Sequence, residues 1–258
     1  MKQEMEIEIL GTGTSIGIPR IMCDCEVCRS TDPHDKRLRA SAIISSNGHN
    51  ILIDCGPDFR QQILRSEIGM VDSLLMTHIH YDHAGGIDDL RPFCKQHPSG
   101  FPIFGQQSVL DIIHRNLPYC FPEEFYPGAP RLSLNAIEPY KAFKIGDLEI
   151  MPLLVMHGKL PILGYRINDF AYITDASSIP DETLRKLQGL DVLVLNSLRI
   201  ETHPTHFSLS ESLAIVERIN PRRTYFTHNA DQMGKHADIN AILPNGVELA
   251  YDGLVIKI

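Results

Sequence analysis

Four side chains able to bind a metal crowd into six residues, His78-Ile79-His80-Tyr81-Asp82-His83. The apolar run Val71–Met76 leads into them, which places them where a short strand gives way to a turn. In extended backbone every second side chain points the same way, so His78 and His80 share one space. If the chain then turns into a helix, Asp82 and His83 face that space as well. Four such ligands are too many for one tetrahedral ion beside a substrate. They suit two ions about 3.5–4 Å apart, as in many enzymes that hydrolyse phosphate esters. The spacing H-x-H-x-D-H is far more specific than a merely His-rich surface turn. Gly85-Gly86, directly after it, permit close approach of backbones.

Two metals need more ligands, and matching positions recur along the chain. Asp54 follows Ile51-Leu52-Ile53, His157 follows Leu153-Leu154-Val155-Met156, Asp175 follows Tyr172-Ile173-Thr174, and His228 follows Tyr225-Phe226-Thr227. Each alone is an ordinary loop residue after a β-rich run; with the central motif they read as one site. Strands are expected at Glu6–Leu10, Ser41–Ser46, Asn50–Asp54, Leu148–Val155, Leu163–Ile167, Ala171–Thr174, Asp191–Asn196, Arg223–Thr227, Val247–Ala250 and Leu254–Lys257. Helices are expected after Gly56-Pro57 as far as Ser66, and over Gln106–Asn116, Asp181–Leu187, Ser208–Ile219 and His236–Leu243. Two sheet-rich halves, each with helices, predict an α/β chain of two packed sheets with helices outside, one domain over residues 1–258. The stretch near 91–131, rich in Pro, Phe and Tyr, reads as a lid-like insertion. In it Phe93, Phe101, Phe104 and Tyr119 are packing residues.

The net charge of −8 and the lack of a dense Lys/Arg cluster argue against a partner as long and anionic as a nucleic acid. A small anionic substrate is expected, with metal ions supplying most of the positive charge. No window offers the ~18 consecutive apolar residues of a membrane span, and the opening MKQEMEIEIL lacks an export-signal core. A cytoplasmic protein is therefore expected. In that setting three crowded cysteines, Cys23, Cys25 and Cys28, point to a shared zinc ion before disulfides.

The central motif, the preceding Leu52-Ile53-Asp54-Cys55-Gly56 and the later His, Asp and His resemble the metallo-β-lactamase superfamily over nearly the whole chain. The resemblance implies an αββα four-layer sandwich with metals at the sheet ends. It implies one ion held by His78, His80 and His157, another by Asp82, His83 and His228, and Asp175 bridging, with Asp54 orienting the site. The ions are expected to be zinc or manganese, or iron. Gly11-Thr12-Gly13-Thr14, the C-x-C-x-x-C loop, His203-Pro204-Thr205-His206-Phe207-Ser208 and Leu249-Ala250-Tyr251-Asp252-Gly253-Leu254 are similar to the phosphoribosyl 1,2-cyclic phosphate phosphodiesterases. That likeness implies hydrolysis of a small cyclic phosphate by a metal-bridging hydroxide held by the centre to which Asp82 belongs. It implies His206 as general acid, His203 orienting it or binding phosphate, and a homodimer. In that family the fourth ligand of the cysteine zinc is a His three residues past the last metal-binding His. Here that position is Asp231, and His236 is the other candidate.

Arg199, Arg91 and Lys159 are candidates for holding phosphate, Lys159 foremost because it lies beside His157. His34, His49, His97 and His114 read as surface or packing residues. Three other readings share parts of the pattern: a tRNase Z-like nuclease, a thioester or lactone hydrolase, and an accessory protein of quinone-cofactor assembly. The first would want a basic RNA-docking arm, which the sequence lacks.

Overall fold

A computed structural model describes residues 5–121 and 128–258 of the chain. The first sheet is built from β1 (Glu6–Gly11), β2 (Ser41–Ser46), β3 (His49–Ile53), β4 (Ser73–Leu75), β5 (Phe101–Gly105) and β6 (Leu132–Ala136). The second takes β7 (Phe143–Ile145), β8 (Leu148–His157), β9 (Leu160–Ile167), β10 (Phe170–Ile173), β11 (Val192–Asn196), β12 (Arg223–Thr227) and β13 (Val247–Leu249). The last strand, β14 (Leu254–Lys257), returns to the first sheet and pairs antiparallel with β1. The sheet orders are β14-β1-β2-β3-β4-β5-β6 and β13-β12-β11-β10-β9-β8-β7. In the first, three antiparallel pairings are followed by three parallel ones, and the second shows the same plan when followed from β7 to β13. The halves thus repeat one plan, although no fixed period is visible in the sequence.

Strand alternation sorts the core into layers. Ile51 and Ile53 face a core shared with Tyr165, Tyr172, Val192 and Val194 of the second sheet, while Leu52 faces the opposite way. Helices α1 (Glu26–Arg29), α2 (Phe59–Arg65), α3 (Tyr81–Ala84), α4 (Gln107–Asn116), α5 (Asp181–Lys186), α6 (Leu209–Ile219) and α7 (His236–Asn240) complete the fold. Phe59 of α2 and Val109, Leu110 and Ile113 of α4 cover the outer face of the first sheet. Leu184 of α5, Ile215 and Ile219 of α6, and Ile239 of α7 cover the second. The four layers are those of the αββα sandwich.

One expectation is corrected. The stretch near 91–131 contributes β5, an inner strand of the first sheet, and α4 packs against that sheet; residues 122–127 of it, like residues 1–4, lie outside the described residues. The strand was obscured because Phe101-Pro102-Ile103-Phe104-Gly105 carries a proline, which cannot donate to a ladder, and ends in glycine. Phe101 and Ile103 are nonetheless fully buried.

The sheets are joined by hydrogen bonds as well as by apolar contact, and these joints sit at the metal motif. The Tyr165 hydroxyl donates to the Met76 carbonyl at 2.5 Å, and the Leu163 N–H to the Thr77 carbonyl at 3.0 Å. Tyr165 is fully buried, so its removal leaves a buried carbonyl without that donor. Tyr165→Phe should therefore lower the free energy of unfolding by about 1–3 kcal/mol, measured by urea denaturation. An unchanged midpoint would show that this tie contributes nothing.

Candidate metal centre

The site forms where strands of both sheets end. Thr77–His80 follow β4, and the single turn α3 carries Asp82 and His83. His157 is the last residue of β8, Asp175 lies two residues past β10, and His228 directly follows β12. Asp54, Asp175 and His228 all have positive φ, at 59°, 58° and 56°. That left-handed backbone is uncommon outside glycine, and it turns each strand-end residue sharply off the strand line. Two glycines make room for the central turn. A Cβ on Gly56 would lie 2.0 Å from the Asp82 carbonyl oxygen, and one on Gly86 would lie 2.1 Å from that of Gly56.

The sequence-predicted ligands come together in two groups. The ligand atoms of His78, His80 and His157 lie within 4.8 Å of one another, as do those of Asp82, His83, Asp175 and His228. Asp175 belongs also to a third grouping, with His157 and His206, and so stands between the others. The donors fit divalent cations. His83 Nε2 is buried and makes no hydrogen bond, although carboxylate oxygens of Asp82 and Asp175 lie 3.1 and 3.2 Å away. Atoms so arranged converge on a common point without bonding one another.

The electrostatics agree. Burial disfavours the charged form of His78, and pushes His228 down to about 4, leaving both with free lone pairs at neutral pH. Asp175 stays well below the usual carboxylate range because His228 and His83 outweigh its burial. Burial works against charge on His83, yet Asp175 and Asp54 overcome it and raise its pKa well above the usual value.

A further set of side chains orients the ligands. Asp54 accepts from Thr77 N–H at 2.9 Å and from the Thr77 hydroxyl at 2.8 Å, and pairs with His83 Nδ1 at 2.7 Å. His157 Nδ1 lies 2.8 Å from the Thr205 carbonyl. Thr174 donates to Asp175 at 2.6 Å, and the Thr205 hydroxyl lies 3.0 Å from His206 Nδ1. These threonines escaped the reading of the sequence, although a signal was present: Thr immediately precedes His78, Asp175, His206 and His228.

A cavity of about 310 Å³ opens over the ligands, with His80, Asp82, His157, Asp175 and His228 at the metal centre and Thr14, Arg199, His203 and His206 elsewhere on its lining. His206 Nε2 stands 3.1 Å from Asp175, and His203 Nδ1 lies 3.2 Å from His206 Nδ1. The segment is pinned by the start of α6, where Glu211 accepts from Ser208 N–H at 2.8 Å. The phosphate-holding expectation needs correction. Arg199 lines the cavity, whereas Lys159 is exposed beyond it and Arg91 turns to Asp88 and the Gly128 carbonyl. Thr12 and Asp252, from the two motifs 240 positions apart, meet in a 2.7 Å hydrogen bond.

Cys23, Cys25 and Cys28 gather with Asp231, not with His236. The Cys23 and Cys25 sulfurs are 3.9 and 3.6 Å from Asp231 Oδ2, and Asp231 Oδ1 is buried without a hydrogen-bond partner. His236 is occupied by Arg37 and Asn240, and stacks on His34. Arg20, which the sequence did not single out, approaches Cys23 at 3.3 Å and Asp231 at 3.2 Å. Its hydrogen bond draws the Cys23 thiol down to about 7, while burial pushes Cys28 up to about 11.

Residues 49–229 match the family model of the β-lactamase superfamily domain. This chain is a member of the metallo-β-lactamase superfamily. It is 41% identical over 252 residues to an octanoyltransferase of Porphyromonas gingivalis, a match covering 97% of this chain and 51% of the relative. The chain thus spans about half the length of that protein. Among solved structures, a diphosphatase from the PhnP family superposes with a TM-score of 0.92 at 38% identity, covering 99% of this chain and 97% of the other. Zn²⁺-bound PqqB from Methylobacterium extorquens superposes with a TM-score of 0.80 at 19% identity over 98% of this chain and all of its own, a likeness of fold. Membership accounts for a hydrolase fold with metal-binding residues at the sheet ends. Among the described residues no helix is long and apolar enough to cross a membrane.

Two outcomes are expected of the ligand shells. Asp54→Ala should weaken metal retention by roughly 10–100-fold, read by competition with a chelator. A variant with Cys23, Cys25 and Cys28 all changed to Ser should lose one metal equivalent by elemental analysis; unchanged content would refute a metal at the cysteines.

Proposed function

We propose that this superfamily member hydrolyses a small phosphodiester, with a cyclic phosphate of the phosphoribosyl 1,2-cyclic type as the leading substrate. The observation that carries the reading is the pair of ligand groups, one His-rich and one carboxylate-rich, under a cavity sized for a small molecule and walled by Arg199, His203 and His206. His78, His80 and His157, and Asp82, His83, Asp175 and His228, would hold zinc, manganese or iron, which would supply positive charge for the phosphoryl oxygens and favour ionisation of water near neutral pH. Cys23, Cys25, Cys28 and Asp231 hold a structural zinc.

The protein's own residues then account for binding and proton movement. Arg199 offers a fixed positive charge, its guanidinium steadied by the Thr202 carbonyl at 2.9 Å. Asp54 keeps His83 oriented, and Thr205 does the same for His157 through its carbonyl. Hydrolysis adds hydroxyl to phosphorus and a proton to the departing oxygen. His206 delivers that proton from the cavity wall, and His203 and Thr205 position its ring.

A second reading has a specific support: the PhnP-family relative is a diphosphatase, so a diphosphate diester belongs beside the cyclic phosphate in the assay. The Porphyromonas relative is named for octanoyl transfer and is about twice as long as this chain, which makes an octanoyl thioester the natural control. The net charge of −8 argues against a polymeric RNA substrate.

Metal-loaded protein should hydrolyse one of the two phosphate substrates, lose that activity to a chelator, and leave the thioester intact. His206→Ala should lower kcat about 100-fold or more on an alkyl leaving group and far less on p-nitrophenolate, which needs no proton. Equal losses on both would sink the acid role; thioester cleavage alone would sink the phosphohydrolase reading.

A further inference from the structure

Filled by one zinc ion, the cysteine cluster keeps an excess of negative charge. Three thiolates and a carboxylate outweigh a dication by about two charges, whereas a neutral imidazole in the carboxylate's place leaves about one. The excess is costly at this position, because Cys28 and Asp231 are buried and Asp231 Oδ1 has no hydrogen-bond partner. A cation or a set of donors has to offset it.

Arg20 does so through both its main chain and its side chain. Its Nη2 lies 3.3 Å from Cys23 Sγ and 3.2 Å from Asp231 Oδ2, and that nitrogen has an N–H bond for each. The Arg20 backbone N–H donates to Cys28 Sγ at 3.4 Å. The remaining sulfur, that of Cys25, accepts from Cys28 N–H at 3.4 Å. Every sulfur thus has an N–H donor, and Arg20 supplies those of Cys23 and Cys28. Three other cations on or beside this loop are engaged elsewhere. Arg29 pairs with Asp24 in solvent, Lys36 donates to the Cys28 carbonyl, and Lys235 pairs with Glu26. A guanidinium is always charged and weakly hydrated, which suits a half-buried place against sulfur and carboxylate. With Oδ2 held by Arg20, the lone pairs of Asp231 Oδ1 stay free for an ion.

We infer that Asp231 and Arg20 act together as one electrically neutral ligand unit of the cysteine site. The carboxylate takes the ion, and the guanidinium removes the charge that sets a carboxylate apart from an imidazole. Arg20 thereby decides how tightly this site retains its metal. The inference rests on the reading that the cysteines hold a metal ion, and it is independent of the substrate at the sheet ends.

Cobalt(II) reads this site apart from the histidine and aspartate centre, because only sulfur ligands give thiolate-to-cobalt charge-transfer absorption in the near ultraviolet. Titration of the full chain with Co²⁺ against a competing chelator should show that band in the wild type. The Arg20 side chain is 33% exposed, so glutamine can replace it without opening the core. Arg20→Gln should weaken the affinity that the band reports by roughly 10–100-fold, and Arg20→Lys, which keeps the charge, should recover most of the loss. Arg29→Gln removes the same charge from the same loop without touching a ligand, and should change the affinity by less than about threefold. Asp231→His should keep the band, and in that background Arg20→Gln should weaken binding by less than about threefold, since the charge to be offset is gone. Full affinity in Arg20→Gln, a lysine variant no better than the glutamine one, an equal loss in Arg29→Gln, an equal loss in both backgrounds, or a band abolished by Asp231→His would each overturn the paired ligand. A wild type without the band would sink the metal at the cysteines itself, and the role of Arg20 with it.

Discussion

The Asp54 carboxylate is where the first sheet, the metal motif and the helical turn after it are tied together. Its backbone N–H donates to the Leu75 carbonyl at the end of β4, and its side chain takes both donors of Thr77 and holds His83. The return contact comes from the main chain: Cys55 N–H donates to the His83 carbonyl at 2.7 Å and Gly86 N–H to that of Cys55 at 2.8 Å. All of this is buried, where unpaired polar groups are expensive and fully paired ones define a single arrangement. The left-handed backbone at Asp54 is sustained by that network, and a side chain on Gly56 or Gly86 would not fit within it.

From this point the ligand set extends across the gap between the sheets. Tyr165 and Leu163 of β9 bond to the carbonyls of Met76 and Thr77, so the second sheet is registered against the motif at the place where its own strands deliver His157, Asp175 and His228. The same strand-end segment that carries His228 carries Asp231 three residues later, among the cysteines. The two groups of metal-competent residues are therefore mechanically linked. The loop that leads to the cysteines also reaches the cavity over the ligands, through Ser15 and Ile16.

The strand and helix pattern was legible wherever burial followed a period. Ser41–Ser46, Arg223–Thr227 and Gln107–Asn116 lie within a residue of their expected bounds because alternating or 3.6-residue apolar spacing marks them. β5, β6 and β7 were missed, being short, interrupted by proline or polar, and β5 and β6 also take their partners from strands remote in sequence. The β8–β9 turn shows a similar limit. Lys159 is two positions from His157 but is exposed and not part of the cavity wall, while Arg199, more than 40 residues on, lines it.

The sequence by itself determined the types of the candidate metal-binding residues, the superfamily and the presence of a cysteine cluster, because these depend on side chains a few residues apart or at strand ends. Only the tertiary structure decided that Asp231 and not His236 joins the cysteines, that the stretch near 91–131 contains a sheet strand, and that Arg20 reaches both Cys23 and Asp231. Those outcomes are set by packing between distant segments. No local period records such contacts, and the competing side chains offer the same chemistry until the fold brings one of them near.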